Sequence, residues 1–327
     1  MPAFASKKFE TFFEVVMNKI TTLITVLALS SAPLLAAPMN SNARTVIPSD
    51  IQQIISVDYR ALKNSDTAMA LKAQVLPDNL KEFESALKGI GIDPDKDLES
   101  LTFAQFRNGK QGLKMIGIAS GSFSSKIVLK KMTSQKVKPV KYHDSNVYPM
   151  SGGMDMTFLD DSTLLFGDTS ALHAALNARD GYTTTLDSNP DIADMIPSVE
   201  SGAVWSVLDQ QGSQNMLLSA LGDAGKLADF DTIKKRVTGS RYQMNFDSGV
   251  KLDMDVVTSD SVTAATLSSL VKAGVLYKKM TATPIEKVAL ENMTVNSDGS
   301  NLQMHFKAGD KDFQNLMRSQ LFAAVSK

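Results

Sequence analysis

The residues best able to do chemistry in this sequence are few, and their spacing argues against most reactions. The histidines are His143, His173 and His305. No two stand at the spacing that lets imidazoles share a metal on one helix, and no HExxH pattern occurs. His305 falls on the polar side of an expected strand, and His173 lies on an expected helix beside Leu172 and Leu176, so both read as surface positions. Gly117-Ile118-Ala119-Ser120-Gly121 carries the glycines of a nucleophile elbow but has alanine where the serine must sit. A strand end before a turn is the expectation there. Asp93-Pro94-Asp95-Lys96-Asp97 begins like a calcium loop, yet the sixth position is Leu98 and the twelfth Ala104. The sharp turn and the bidentate carboxylate are both missing. Asp160 and Asp161, with Asp168 nearby, gather carboxylates around one loop, where aspartates commonly bond backbone groups. The chain has no cysteine, which excludes disulfides, thiolate zinc sites, iron–sulfur clusters and a thiol nucleophile. No catalytic residue, metal site or cofactor is assigned.

The densest charge feature is a lysine series: Lys126, Lys130, Lys131, Lys136, Lys138 and Lys141. These are the candidate ligand-binding residues, suited to an anionic envelope polymer. The plain alternative is a solvated helix face and loop. Arginine is absent from the series and Tyr142 is its sole aromatic, so the stacking surface of a nucleic-acid site is not evident. The whole chain has a formal net charge of -1 and offers no global field for polyanions. Trp205 and the methionines read as core.

Beneath these residues lies a pattern of amphipathic ribbons. From Arg241 to Val257 apolar and polar residues alternate, as in strands with one buried face. A loop at Asp247-Ser248-Gly249, with Gly249 at positive φ, sets Met244 opposite Leu252 and Tyr242 opposite Met254. The reverse face pairs Asn245 with Lys251, Gln243 with Asp253 and Arg241 with Asp255. A second hairpin sets Phe158 opposite Leu164 and Met156 opposite Phe166. A third spans Leu101 to Ala119, and Val147 to Met150 adds an edge strand. A fourth turns on Asp298-Gly299, with Met293 facing Met304 and Val295 facing Leu302. Ile51 to Leu62 and Ala203 to Leu208 read as further strands. Helices are expected from Asn64 to Leu76, from Asp78 to Ile90 (closed by Gly89 and Gly91), and from Ile127 to Met132. Others are expected over Ala171–Ala178, Ser213–Val237, Ser261–Tyr277 and Asp310–Ala324.

The order strand–helix, hairpin–helix, hairpin–helix occurs twice. The expected fold class is therefore α+β, in two similar halves. Each is an antiparallel sheet covered by helices on one face, an elaborated ferredoxin-like layer structure. The alternative is one continuous sheet. The halves span 50–180 and 198–327, joined by a linker at 181–197. Residues 37–49 read as a polar tether, and 1–36 as a secretory signal peptide, with Met17 an alternative start. Ile20 to Ala37 carries no charge and ends in small residues, so cleavage falls after Ala36. An uncleaved N-terminal anchor is the alternative, and the only membrane contact expected.

The stretches SALKGIGIDPDKDLESLTFAQF and GGMDMTFLDDSTLLFGDTSALHAALNARDG resemble uncharacterised exported bacterial proteins. These have a Gly-x-Asp-Pro-x-x-Asp turn and a hairpin ending in Phe-Gly-Asp, here Gly91, Asp93, Pro94, Asp97 and Phe166, Gly167, Asp168. The resemblance covers most of 50–180 and implies export and fold, with no activity attached. Two functional expectations follow. The first is a non-catalytic periplasmic or secreted protein that binds an envelope protein or anionic polymer, between or on its halves. The second is a secreted hydrolase with a carboxylate site at Asp160, Asp161 and Ser120.

Overall fold

The computed structural model describes residues 39–75, 84–85, 87–150, 153–221, 230–247 and 249–317. The expected signal segment, most of the helix from Asp78 and the end of the C-terminal helix lie outside them. The chain is α+β with antiparallel strand pairing throughout its ladders. Among the described residues, contacts group 39–63 with 84–206 as one compact unit, and 64–75 with 207–317 as another.

The first unit opens with α1 (Ser41–Val46) and β1 (Ile51–Asp58), then α2 (Tyr59–Lys63). The expected tether is thus a helix: Asn40 accepts a hydrogen bond from the Asn42 amide, and Ala43 and Val46 are buried. The strand expected to reach Leu62 stops at Asp58. Its carboxylate accepts from the backbone of Arg60 at 2.8 Å and Ala61 at 3.0 Å, which turns the chain into α2.

Residues 87–90 are helical and close as expected. Gly91 (φ +95°) donates to Lys88 and the Ile92 amide to Leu87, the paired bonds of a Schellman cap. Strands β2 (Leu98–Arg107), β3 (Leu113–Gly121), β4 (Val140–Tyr142), β5 (Ser145–Pro149), β6 (Asp155–Phe158) and β7 (Thr163–Gly167) follow. With β8 (Val204–Leu208), where the division between the units falls, the order is β8–β1–β2–β3–β7–β6–β5–β4.

In β6–β7, Phe158 faces Leu164 and Met156 faces Phe166, the register read from sequence. One face of this sheet, with Ile116, Ile118 and Leu165, lies under the helix Thr169–Arg179. The other carries Gly117, Phe166 and Phe158. Phe123 packs edge-on against Phe158 there, so this sheet is covered locally on its second face too. The 181–197 stretch, read as a linker, buries Leu186, Ile192 and Ile196 within the same unit, and Thr184 pairs with Ser49.

The second unit holds α3 (Asp66–Val75), where 64–75 packs beside the C-terminal helix rather than within the stretch 50–180: Thr67 donates to Asp310 at 2.6 Å. Its sheet runs β11–β12–β10–β9, with β9 (Val237–Asn245), β10 (Val250–Thr258), β11 (Met293–Asp298) and β12 (Asn301–Ala308). The β9–β10 register is the one read from sequence: Met244 faces Leu252, Tyr242 faces Met254 and Arg241 faces Asp255. Tyr242, Met244, Phe246, Val250, Leu252 and Met254 are all buried. Each stabilises the unit by about 1.5–3 kcal/mol relative to exposure. On the opposite face Arg241 pairs with Asp255 at 2.9 Å, and His305 and Lys251 both meet Asp253.

The β11–β12 register is corrected by two positions. Asp298 pairs with Asn301, so the loop is Gly299-Ser300, Met293 faces Phe306 and Val295 faces Met304. Gly299, at φ +53°, takes the first loop position rather than the second. A slip of two keeps every side chain on its expected face.

Candidate ligand-binding face

The lysine series spans three consecutive elements of the first unit. Ser125–Ser134 forms a helix that buries Val128 and Met132, while Ile127 is 65% exposed. Lys126 and Lys130 are exposed on it. Lys131 is half-buried, its aliphatic stem lying over Gly91. The helix closes on a Schellman cap: Lys136 donates to Thr133 and Val137 to Met132, both at 3.0 Å. Lys136 itself holds φ +62°, where glycine is usual. Lys138 and Lys141 are exposed, the latter on β4. No carboxylate occurs between Lys126 and Lys141, and among the described residues none of the six enters an ion pair.

Strand β4 turns into β5 through His143-Asp144, since Tyr142 pairs with Ser145. His143 takes φ +49° at the first loop position. Lys136 and His143 are the only non-glycine residues at positive φ among those described, and both fall on this segment. Backbone strain of this kind costs about 1–2 kcal/mol per residue and gathers where surroundings over-determine the chain.

The restraint at His143 comes from the helix Thr169–Arg179, which starts at the Asp168 cap and carries His173 and Asn177 toward the hairpin. Tyr142 stacks on His173 with centroids 3.6 Å apart and planes at 7°. His143 stacks on Tyr182 at 4.7 Å, and Tyr142 meets His143 edge to face at 4.3 Å. The Asn177 amide oxygen ties the hairpin down, 2.9 Å from both the Tyr142 hydroxyl and His143 Nε2. Burial lowers the His173 pKa, opposed by Asp155 and assisted by His143. Tyr182 is 67% exposed, so the row of four rings ends in solvent. Tyr142, read as an isolated aromatic, is thus one member of a stacked row.

Beside this row β5 and β6 splay. They pair at Tyr148–Met156 and Pro149–Asp155, and beyond that the Thr157 hydroxyl donates to the Asn146 carbonyl at 3.0 Å. The gap opens a cleft of about 390 Å³, lined by Leu129 of the lysine helix, Asp144, Asn146, Tyr148, Phe158 and Arg179, among others. Lys141 pairs with Asn146 across β4–β5 and so shares the face bearing Asn146 and Tyr148. Arg179 donates through Nε to Asp180 at 2.7 Å, which holds the Asp180 carboxyl below its ordinary range.

The carboxylates of the hydrolase expectation are engaged otherwise. Asp160 accepts from the Ser162 amide and hydroxyl and from Asn42. Partial burial pushes its pKa up, but the Ser162 and Thr163 bonds outweigh that and lower it. Asp161 bonds Ser125, and Asp168 caps its helix and pairs with Lys114 at 3.1 Å. Ser120 lies in β3, paired with Ser100 on one side and Thr163 on the other. Gly117 and Gly121 are explained by close packing: a side chain on the first would overlap the Phe166 ring, and on the second the Asp97 carbonyl. Asp93 caps the single turn Pro94–Asp97. Among the described residues no group of three metal-ligating side chains converges.

What this geometry defines is an α+β protein with a lysine-bearing segment, a row of rings anchoring its hairpin to the helix Thr169–Arg179, and an adjoining cleft. No family model and no curated protein matches the chain. Among solved structures it is similar to TP0453 in crystal form I, at 10% identity and TM-score 0.47, covering 86% of this chain and 98% of that one. Crystal form IV of the same protein gives 8% identity and TM-score 0.44, covering 84% and 96%. Among the described residues no helix is long and apolar enough to cross a membrane.

Proposed function

We propose that this is a non-catalytic exported protein of the bacterial envelope whose lysine-bearing face binds an anionic polymer. One observation carries the reading: six lysines within sixteen residues, no carboxylate among them, on a segment whose hairpin is held at His143 by Asn177 and Tyr182. Fixed cations of one sign, held without internal partners, attract a polyanion through counterion release. Export rests on the apolar N-terminal run and on the resemblance to exported bacterial proteins. The hydrolase alternative has less support, because Ser120 sits mid-ladder, Asp160 serves its own turn and Asp161 is bonded by Ser125.

The test is retention on immobilised heparin across a sodium chloride gradient. Lys126→Glu, Lys130→Glu and Lys138→Glu together avoid Lys131 and Lys136, which have structural duties. Elution at clearly lower salt is expected, and unchanged retention refutes the reading. N-terminal sequencing of exported material is expected to give Ala37; a chain starting at residue 1 or 2 refutes removal of the leader.

A further inference from the structure

The cleft between β5 and β6 differs in character from the lysine face it adjoins. Its charged lining residues are Asp144 and Arg179, and Arg179 is already paired with Asp180, so the cleft offers no unengaged cation. The rest of its lining joins the amide of Asn146 and the hydroxyls of Ser145 and Thr157 to the rings of Tyr148 and Phe158, with Leu129 and Leu159 as aliphatic wall. The volume lies in the range of small-molecule sites. A cleft whose one cation is already paired, and which also carries Asp144, does not select for a phosphate or carboxylate. It matches a ligand with a ring of C–H bonds on one face and hydroxyl groups at its edge. The side chains of Tyr148 and Phe158 offer flat apolar surface, and Asn146 offers both a donor and an acceptor.

We propose that the cleft holds one sugar ring of the polymer bound by the lysines, so that the ligand is an acidic glycan. This rests on the polyanion reading above and narrows it. The acidic groups remain outside, on Lys126, Lys130 and Lys141, while an uncharged part of the chain enters the cleft.

Two polymers separate the possibilities: heparin, which carries sugar rings, and inorganic polyphosphate of matched length, which carries none. Binding of each is measured by calorimetry on the full mature chain. Asn146→Ala and Tyr148→Ala are expected to weaken heparin at least about fivefold, the loss of one hydrogen bond or more. Polyphosphate binding is expected to stay within twofold, which also shows the variants to be folded. The lysine triple variant is expected to weaken both. If the cleft variants leave heparin affinity unchanged, or weaken both polymers equally, the sugar subsite is wrong while the polyanion reading stands. If the unaltered chain binds neither polymer, both fall.

Discussion

Gly117→Ala tests the packing that holds the first sheet together. Gly117 lies on β3 between Phe103 of β2 and Phe166 of β7. The two rings meet over it edge to face, centroids 5.9 Å apart and planes at 88°. A methyl group at residue 117 would occupy the space of the Phe166 ring at Cζ and both Cε atoms. Phe166 is 4% exposed, so the ring has no room to retreat without disturbing its neighbours. Overpacking of this kind costs about 1–3 kcal/mol. Loss of the edge-to-face pair adds about 0.5–1.5 kcal/mol. The entropy that alanine removes from the unfolded chain returns about 0.4–1 kcal/mol. The balance is a destabilisation of about 2 kcal/mol, or roughly 4–8 °C in Tm for a unit of this size. Urea unfolding should show it as a lower midpoint at unchanged slope. Phe166→Leu in the same chain should recover part of the loss, giving a coupling of at least about 0.5 kcal/mol in the double-mutant cycle. A Gly117→Ala chain as stable as the parent, or strict additivity with Phe166→Leu, would show the ring is not seated over that glycine.

Two further outcomes follow from titrating groups. Asp260 caps the helix Ser261–Thr281, and bonds from the Thr263 amide and hydroxyl, together with Ser259 and Arg236, bring its pKa to about 2. Because the folded pKa is depressed, this stabilisation is complete above about pH 4 and fades as pH falls toward 2; Asp260→Ala should lower Tm at pH 7 and remove that part of the acid dependence. His173 also has a folded pKa below its ordinary value, so the unfolded chain takes up its proton first and stability is lost as pH falls below about 6.5. His173→Phe should flatten the fall in Tm between pH 7 and 5, and an unchanged slope would exclude His173 as its source.

How far the sequence could be read depended on whether a segment's partners were local. The β9–β10 ribbon was legible down to the Arg241–Asp255 pair, because alternation and a tight loop specify register without outside help. Asp168 announced its helix for the same reason. At the last hairpin the faces could be read but the register could not, since Asp298 and Gly299 fit either of two loop positions. The helix Ser41–Val46 is too short for periodicity and gains its stability from burial of Ala43 and Val46. The helix Pro284–Glu291 did have a local signal, Thr283 and Glu286 in a capping box with proline at the first position. The basic face was visible as a lysine run. Its rings and cleft were not, because Tyr142, His173 and Tyr182 meet only after β4 folds back onto a helix thirty residues downstream. His143-Asp144, moreover, is not a recognisable hairpin turn.

Strand β4 closes the order of its sheet, and among the described residues of that unit no strand pairs with its outer backbone groups. It is three residues long, preceded by Lys138 and Pro139, and carries Lys141 at its centre. Such features stop one molecule from templating the next. Cations on this border therefore guard against self-assembly, in addition to the polyanion binding proposed for them. A neutralising swap at Lys138 or Lys141 removes that guard, whereas a charge-reversing one leaves like charges on both borders to repel. Ligand that masks the same cations would expose an open seam, and crowded copies along one polymer strand would then have a route to join edge to edge.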